Sequence, residues 1–234
     1  MVDSKITMFG RQFGLRHSPM VESVLYYPHP LTKGGLIVVL ANDTGDLLDL
    51  VGEAYQQAPS GLSLHCLRHR ELFQLTLPGI FAPPFSVNER PHLPYFLKHK
   101  GTVLFGQDWR GAIQPKTDPG VLLIGHIEGC MDSLRRYGIL PALLRREYDE
   151  LAAMLEQELI YLMSTALLLH NQWDVSLATL PELFWRYFPD EQLHEIWQQF
   201  GKSRQQIKEE PSETAYHLVW LFERFLYFLE GYAS

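Results

Sequence analysis

The stretch HKGTVLFGQDW, His99–Trp109, contains a short apolar run on which the fold of the first half of the sequence depends. Val103–Phe105 consists of residues that favour β-structure, and Gly101 and Gly106 bound it on either side. Such a run predicts one short, buried strand. A buried strand needs partners for its backbone hydrogen-bonding groups, so the rest of a sheet must come from elsewhere in the chain.

Three further runs with β-like patterns precede this stretch: Val21–Tyr27, Leu36–Ala41 and Leu62–Leu67. Glycine, proline and helical patterns separate them. After about Gly138 the strand signals nearly disappear, and apolar residues recur at intervals of three and four. The sequence therefore predicts an α+β protein with a small mixed β-sheet domain over residues 1–118 and a helical bundle over residues 119–234.

Four helices are predicted for the second half of the chain. The longest covers Leu143–Leu169, and the last begins with Ser212 as its cap. A Thr179-x-x-Glu182 capping box predicts a helix that ends near Tyr187. Pro189–Asp190 begins the third helix, and the polar run Gly201–Pro211 is expected to be a loop.

Composition excludes several classes of function. The 234 residues carry a net charge of −7, so we expect no nucleic-acid partner. No run approaches the roughly 18 apolar residues of a membrane span, and the first residues do not resemble a signal peptide, which favours a cytoplasmic protein. Cys66 and Cys130 form no Cys-x-x-Cys pair, which argues against a zinc cluster and for reduced thiols.

Acidic residues follow the second predicted strand. Asp43 can cap the next helix, and Asp46 lies where the helix dipole favours negative charge. The alternative is a cluster of carboxylates that holds a metal ion. Capping accounts for these acids, so we expect no metal site.

Turn and strand-end residues supply the candidate ligand-binding groups. Lys33, Gly34 and Gly35 could bind phosphate through backbone N–H groups and a positive charge, although a turn without ligand is the simpler interpretation. Arg68 begins a basic Arg-His-Arg run that suits an anion or an acidic partner. Trp109 follows Asp108, and a carboxylate beside an aromatic ring could receive a cationic or sugar-like ligand.

The order of these elements carries a resemblance to a known family. Strand, turn, strand, helix, strand, helix and a last strand reading G-x-V-L-F-G-x-D, followed by a helical domain, resembles the nucleotidyltransferase superfamily, including the aminoglycoside and minimal nucleotidyltransferases. The likeness covers roughly Val21–Ile113. It implies a nucleotidyltransferase-like first domain whose last strand is Gly101–Gly106.

The motifs that carry the family's chemistry are missing from this sequence. The family has Gly-Ser at the end of the first strand and Asp-x-Asp at the start of the second, where carboxylates hold the divalent cations that bind a triphosphate. Here the first strand ends in Pro28-His29-Pro30, and the second begins with Lys33-Gly34-Gly35. The third strand also carries no acid.

The resemblance therefore implies a non-catalytic relative that binds a ligand or a partner protein in or near the cleft between its domains, without a cofactor. The alternative is an active nucleotidyltransferase that moves a nucleotidyl group from a nucleoside triphosphate to a small acceptor. In that case Mg²⁺ would be held by relocated carboxylates, and the candidate catalytic residues are Asp43, Asp46 and Asp108. A third hypothesis is a helical interaction protein whose first domain has another fold. The aromatic last helix also suggests a homodimer.

Overall fold

The computed structural model describes residues 2–29, 34–41, 48–69, 93–111 and 118–233. The chain divides into two compact units, Met1–Lys116 and Thr117–Ser234. Within the described residues the protein is α+β: the first unit contains a mixed sheet and the second consists of helices that pack together.

The first unit contains three helices and four strands among its described residues. In chain order they are α1 (Ser4–Arg16), β1 (Val21–Tyr27), β2 (Gly35–Leu40), α2 (Leu48–Gln57), β3 (Ser63–Arg68), α3 (Leu93–Lys100) and β4 (Thr102–Gly106). All four predicted strands are confirmed to within one residue at each end.

The strands form one sheet in the order β3-β2-β1-β4. β1 pairs antiparallel with both β2 and β4, whereas β2 and β3 run parallel. Every residue of β2 is buried, because β2 lies between two other strands and both its faces are covered. Because β1 runs in the opposite direction to the other three strands, the end of β1 lies beside the starts of β2 and β3 at one edge of the sheet. The ends of β2, β3 and β4 lie at the opposite edge.

Helix α1 is the element of this unit that the sequence analysis did not predict. Gly10 and Gly14 lower its intrinsic helix propensity, but they allow the helix to approach β4 closely. A Cβ at Gly10 would stand closer than 3.0 Å to the Leu104 side chain, and one at Gly14 would meet the Phe105 ring. The helix is therefore stabilised by packing against the sheet through Phe9 and Phe13.

The second unit is built from helices and short helical segments. They are α4 (Pro119–Gly129), a π-helical segment (Cys130–Ile139), α5 (Leu140–Arg145), α6 (Tyr148–Ala166), a 3₁₀ segment (Leu167–His170), α7 (Leu180–Tyr187), α8 (Glu191–Gln206) and α9 (Pro211–Glu230). Its core centres on α6, with Leu155, Leu159 and Leu162 completely buried. Side chains of α4, α7, α8 and α9 pack around that helix.

Two helix boundaries differ from the sequence prediction. The helix predicted over Leu143–Leu169 is interrupted at Arg146, which adopts the left-handed conformation with φ 60°. The expected loop over Gly201–Pro211 is wrong, because α8 continues to Gln206. Phe200, Ser203 and Ile207 are buried at helical spacing, so packing extends the helix through a polar sequence.

The predicted caps also require correction. Helix α7 begins where expected, but the Thr179 side chain makes no capping bond; its hydroxyl pairs with Ser176 instead. Ser212 lies inside the first turn of α9 rather than at its cap, since that helix begins at Pro211. Asp190 does cap α8, where its carboxylate accepts from the backbone N–H groups of Gln192 and Leu193.

One helical stretch of the described chain, Tyr148–His170, is long and apolar enough to cross a membrane by length and composition. Of its apolar window, 72% is buried inside the protein. A helix that is already covered on most sides by its own protein has little surface to offer to lipid. A helix buried in the core of its own protein passes the same test of length and composition.

Candidate functional site at the strand ends

The first edge of the sheet is the one where the family resemblance expects the triphosphate-binding motifs. Tyr27, the last residue of β1, lies opposite Gly35 of β2, which in turn lies opposite Ser63 of β3. The Tyr27 side chain is completely buried, and its hydroxyl lies 3.0 Å from Nε2 of His65 on β3. The Tyr27 ring therefore crosses β2 above Gly35 to reach the third strand.

This crossing explains why glycine occupies position 35. A Cβ there would stand closer than 3.0 Å to Oη and Cζ of Tyr27 and 2.8 Å from the carbonyl oxygen of Ser63. Gly34 has a separate requirement, because its φ of +82° is a conformation that residues with a side chain rarely adopt. Both glycines thus have packing or backbone roles, whether or not the turn also binds a ligand.

The described residues at this edge offer no carboxylate from the strand ends themselves. The ends and starts of the strands contribute Tyr27, His29, Gly35, Ser63 and Thr102. His29 is buried, and its ring lies edge-on to Phe96 with 5.1 Å between ring centroids. The side chains at this edge therefore supply hydroxyl, imidazole and aromatic groups where the resemblance leads us to expect carboxylates.

The opposite edge carries a half-buried group of polar and aromatic side chains, Glu22, Arg68, His69 and Trp109, which we call the strand-end patch. Nδ1 of His69 lies 3.1 Å from a carboxylate oxygen of Glu22. The centroids of the His69 and Trp109 rings are 4.1 Å apart, with 47° between the ring planes. The patch thus places a carboxylate, an imidazole, an indole and a guanidinium at one end of the sheet.

Asp108, a candidate catalytic residue, is paired with Arg110. Its carboxylate accepts hydrogen bonds from the backbone N–H, Nε and Nη2 of Arg110 at 2.7 to 3.0 Å. The side-chain hydrogen bonds from Arg110 lower the pKa of Asp108 to about 2. The other guanidinium nitrogen donates to the carbonyl of Gly101. Asp108 therefore holds a turn in place, and a metal ion would have to compete with Arg110 for both oxygens.

The predicted site residues fall into separate places. Gly34 and Gly35 lie at the start of β2, whereas Arg68 and Trp109 belong to the strand-end patch beyond its other end. The six residues of β2 separate the two groups by roughly 17 Å. Lys33, Asp43 and Asp46 lie outside the described residues.

His65 and His69 have different partners, because two residues four apart along an extended strand are separated by about 13 Å. His65 is buried beside Tyr27, and His69 pairs with Glu22. Their four-residue spacing therefore does not produce a shared metal site of the kind formed on a helix.

A second polar cluster, in the other unit, escaped the sequence analysis. His126 and Cys130 on the helix that begins with α4 meet Glu158 of α6, and all three are buried. Nε2 of His126 lies 2.8 Å from Oε1 of Glu158, and Sγ of Cys130 lies 3.4 Å from the same oxygen. Two signals could have indicated it: the four-residue spacing of His126 and Cys130, and an acid within the apolar stripe of α6.

No family model matches the chain, and neither a curated protein nor a solved structure matches it at a significant level.

Proposed function

We propose that this chain is a nucleotidyltransferase-like protein that has lost metal-dependent catalysis and acts by binding a ligand or a partner protein. The element order from β1 to β4 agrees with the family's order and supports the assignment. The missing Gly-Ser and Asp-x-Asp motifs support the loss of catalysis. A cytoplasmic location and a homodimer through α9 belong to the same proposal.

A single observation carries the non-catalytic part of the proposal, namely the packing of Tyr27 over Gly35. Two Mg²⁺ ions and a triphosphate need oxygen ligands at the start of β2. The chain instead offers Gly34 and Gly35 there, and the buried Tyr27–His65 pair covers the second glycine. Restoring an acid at position 35 would require the Tyr27 ring to leave its place.

The strand-end patch is the surface that best fits a binding role. Its His69 and Glu22 side chains keep 26% and 29% of their surface exposed, so a partner could reach them. Arg68 and His69 suit an acidic group, and the Trp109 indole can stack on a flat or sugar ring. We therefore propose an anionic ligand or an acidic segment of a partner protein as the occupant.

The alternative, an active nucleotidyltransferase, depends on Asp43 and Asp46, which lie outside the described residues. Asp108 contributes little to it, because Arg110 already neutralises its carboxylate.

The proposed homodimer rests on aromatic residues on the outer face of α9. Tyr216 and Tyr227 of that helix are at least 60% exposed.

The test is titration of the full chain with Mg²⁺ and each nucleoside triphosphate by calorimetry, beside an assay for pyrophosphate release. We expect no release of pyrophosphate. Where a nucleotide binds, Trp109→Ala should weaken binding about tenfold, since stacking of a base on an aromatic ring contributes about 1–3 kcal/mol. Trp220→Ala, at a half-exposed tryptophan of α9, is the matched control and should leave the affinity unchanged.

Pyrophosphate release that disappears in Asp43→Asn or Asp46→Asn would favour the active enzyme and sink the proposal. If no nucleotide binds, the proposal becomes that the chain binds a partner protein. The affinities of Trp109→Ala and Trp220→Ala for the captured partner would then be compared in the same way.

A further inference from the structure

The buried cluster of His126, Cys130 and Glu158 plays no part in the function proposed above. A nitrogen, a sulfur and an oxygen atom from these side chains all lie within 4.8 Å of one another. None of the three residues has more than 6% of its surface exposed. Polar groups of this kind are expensive to bury unless each has a partner or a cation, so their grouping in an apolar core requires an explanation.

The hydrogen bonds of Thr165 fix the tautomer of the histidine. The Thr165 hydroxyl donates to the carbonyl of Tyr161 at 2.9 Å, and a hydroxyl has only one hydrogen to donate. Nδ1 of His126 lies 2.8 Å from the Thr165 oxygen, and with the hydroxyl hydrogen on the Tyr161 carbonyl the bond is made by donation from Nδ1. A neutral imidazole then carries its lone pair on Nε2, which faces Glu158.

Two electron-pair donors thus lie 2.8 Å apart, Nε2 of His126 and Oε1 of Glu158. A positive species must lie between them, either a proton or a metal cation. Sγ of Cys130 approaches the same oxygen, and burial together with the charge of Glu158 raises the pKa of its thiol. A bound cation would reverse that effect, because a coordinating thiol gives up its proton to solvent.

We propose that Nε2 of His126, Sγ of Cys130 and Oε1 of Glu158 form a binding site for a divalent cation, with zinc as the best match. A thiolate, a carboxylate and a neutral imidazole together balance the charge of Zn²⁺, which suits a buried site. Thiolate and imidazole ligands favour zinc over Mg²⁺ or Ca²⁺. The sequence analysis argued only against a zinc site built from paired cysteines, whereas this site would combine one cysteine with a histidine and a glutamate.

Two of the three spacings between the ligand atoms are close to those of a zinc site, and the third, between Nε2 of His126 and Sγ of Cys130, is within 4.8 Å. Zinc–ligand distances of about 2.0–2.3 Å place the ligands of a tetrahedral ion about 3.3–3.7 Å apart. The observed 2.8 and 3.4 Å require shifts of roughly 0.5 Å or less for those pairs. Thr165 would hold the ring in the ligating tautomer, the role that outer-shell partners play at zinc sites. Three protein ligands leave the fourth position for a water or a small ligand.

The backbone around Cys130 is an independent indication. A π-helical segment, Cys130–Ile139, begins at this ligand and interrupts the helix that carries His126. Insertions of π-helix into α-helices often occur at functional sites. Pro141, which cannot donate a backbone hydrogen bond, lies 11 residues after Cys130, too far along the helix to account for where the segment begins.

The test uses the full chain, stripped of metal with a chelator and then titrated with Zn²⁺ against a competing chromophoric chelator. Co²⁺ loading provides a second readout, because a thiolate ligand gives a charge-transfer band in the near ultraviolet. We expect equimolar zinc, a thiolate band with Co²⁺, and a higher melting temperature with zinc bound.

Cys130→Ser should abolish the Co²⁺ band and weaken zinc binding at least about 100-fold, beyond the 10–100-fold cost of losing an outer-shell partner. Cys66→Ser is the matched control, since Cys66 is equally buried on β3 of the other unit; it should behave like the wild type. Circular dichroism of each metal-free variant shows whether it is folded. Glu158→Gln, which keeps the shape, is a second variant with an expected loss of at least about tenfold.

A wild-type chain that gives no thiolate band with Co²⁺ overturns the proposal without reference to any variant. So does equal zinc affinity in the wild type and folded Cys130→Ser, which would assign the binding to other groups among the ten histidines of the chain.

Discussion

At the scale of single residues, glycine positions that looked like remnants of a phosphate-binding turn have a packing explanation. Gly35 is needed because the Tyr27 ring passes over it to His65. The ligand-binding assignment of Gly34 and Gly35 stays a prediction, but the pattern that suggested it is accounted for without a ligand. A small residue can mark close approach of a neighbouring side chain as readily as close approach of a phosphate.

Gly35→Ala should destabilise the protein by about 1–3 kcal/mol, the usual cost of overpacking a well-packed site. The new methyl group would displace the Tyr27 ring and break its bond to His65. Urea unfolding followed by circular dichroism measures the change.

Gly52→Ala is the matched control for that substitution. Gly52 lies inside α2, and a Cβ there would meet no atom within 4 Å. Alanine should therefore stabilise the protein by about 0.5–1 kcal/mol through helix propensity. Equal effects of the two substitutions would contradict the packing assigned to Tyr27.

At the scale of elements, the start of a helix can be predicted correctly although the capping contact that predicted it does not form. The Thr179-x-x-Glu182 pattern predicted the start of α7 to within a residue, yet Thr179 makes no capping bond and Glu182 pairs with Arg186. At α8, by contrast, the Asp190 carboxylate accepts from two backbone N–H groups and also from the hydroxyl of Tyr232.

Asp190→Ala should cost about 0.5–2 kcal/mol, because it leaves N–H groups at the start of α8 without an acceptor. Thr179→Ala should change the free energy of unfolding by less than about 0.5 kcal/mol, as expected for an exposed side chain outside a cap. Thermal unfolding of the two variants, side by side, measures both. A larger loss from Thr179→Ala would mean that the capping box operates in solution.

At the scale of the whole molecule, each unit has a hydrophobic core of its own. The buried cluster of the first unit draws on residues from Ile6 to Leu104, and that of the second on residues from Leu123 to Leu229. The predicted domain boundary after residue 118 lies close to the division at Lys116. Two separate cores predict two units that can each fold.

Residues 117–234 expressed alone should therefore fold into a helical protein with a single cooperative thermal transition. The physical reason is that its core residues, centred on α6, contact one another within that range. Circular dichroism and calorimetry of the fragment test this. A gradual loss of ellipticity without a heat-absorption peak would show that the second unit needs the first.

The sequence alone determined the strands, most helices and the absence of the family's metal-binding motifs. These features are local: alternation over five to seven residues, glycine and proline punctuation, and the presence or absence of acids at a strand end. The four strands were therefore placed to within one residue. Local propensity did not predict α1 or the end of α8. There, packing against other elements outweighs the low helix propensity of the glycines in α1 and of the polar residues in α8.

Only the tertiary structure decided which side chains meet. Tyr27 and His65 are 38 residues apart, and His126 and Glu158 are 32 apart, so no periodicity could pair them. The same applies to the separation of Gly35 from Arg68, which depends on the direction in which β2 and β3 run. Contacts between distant residues depend on how whole elements pack and in which order strands pair, and that information lies in the fold rather than in any short stretch of sequence.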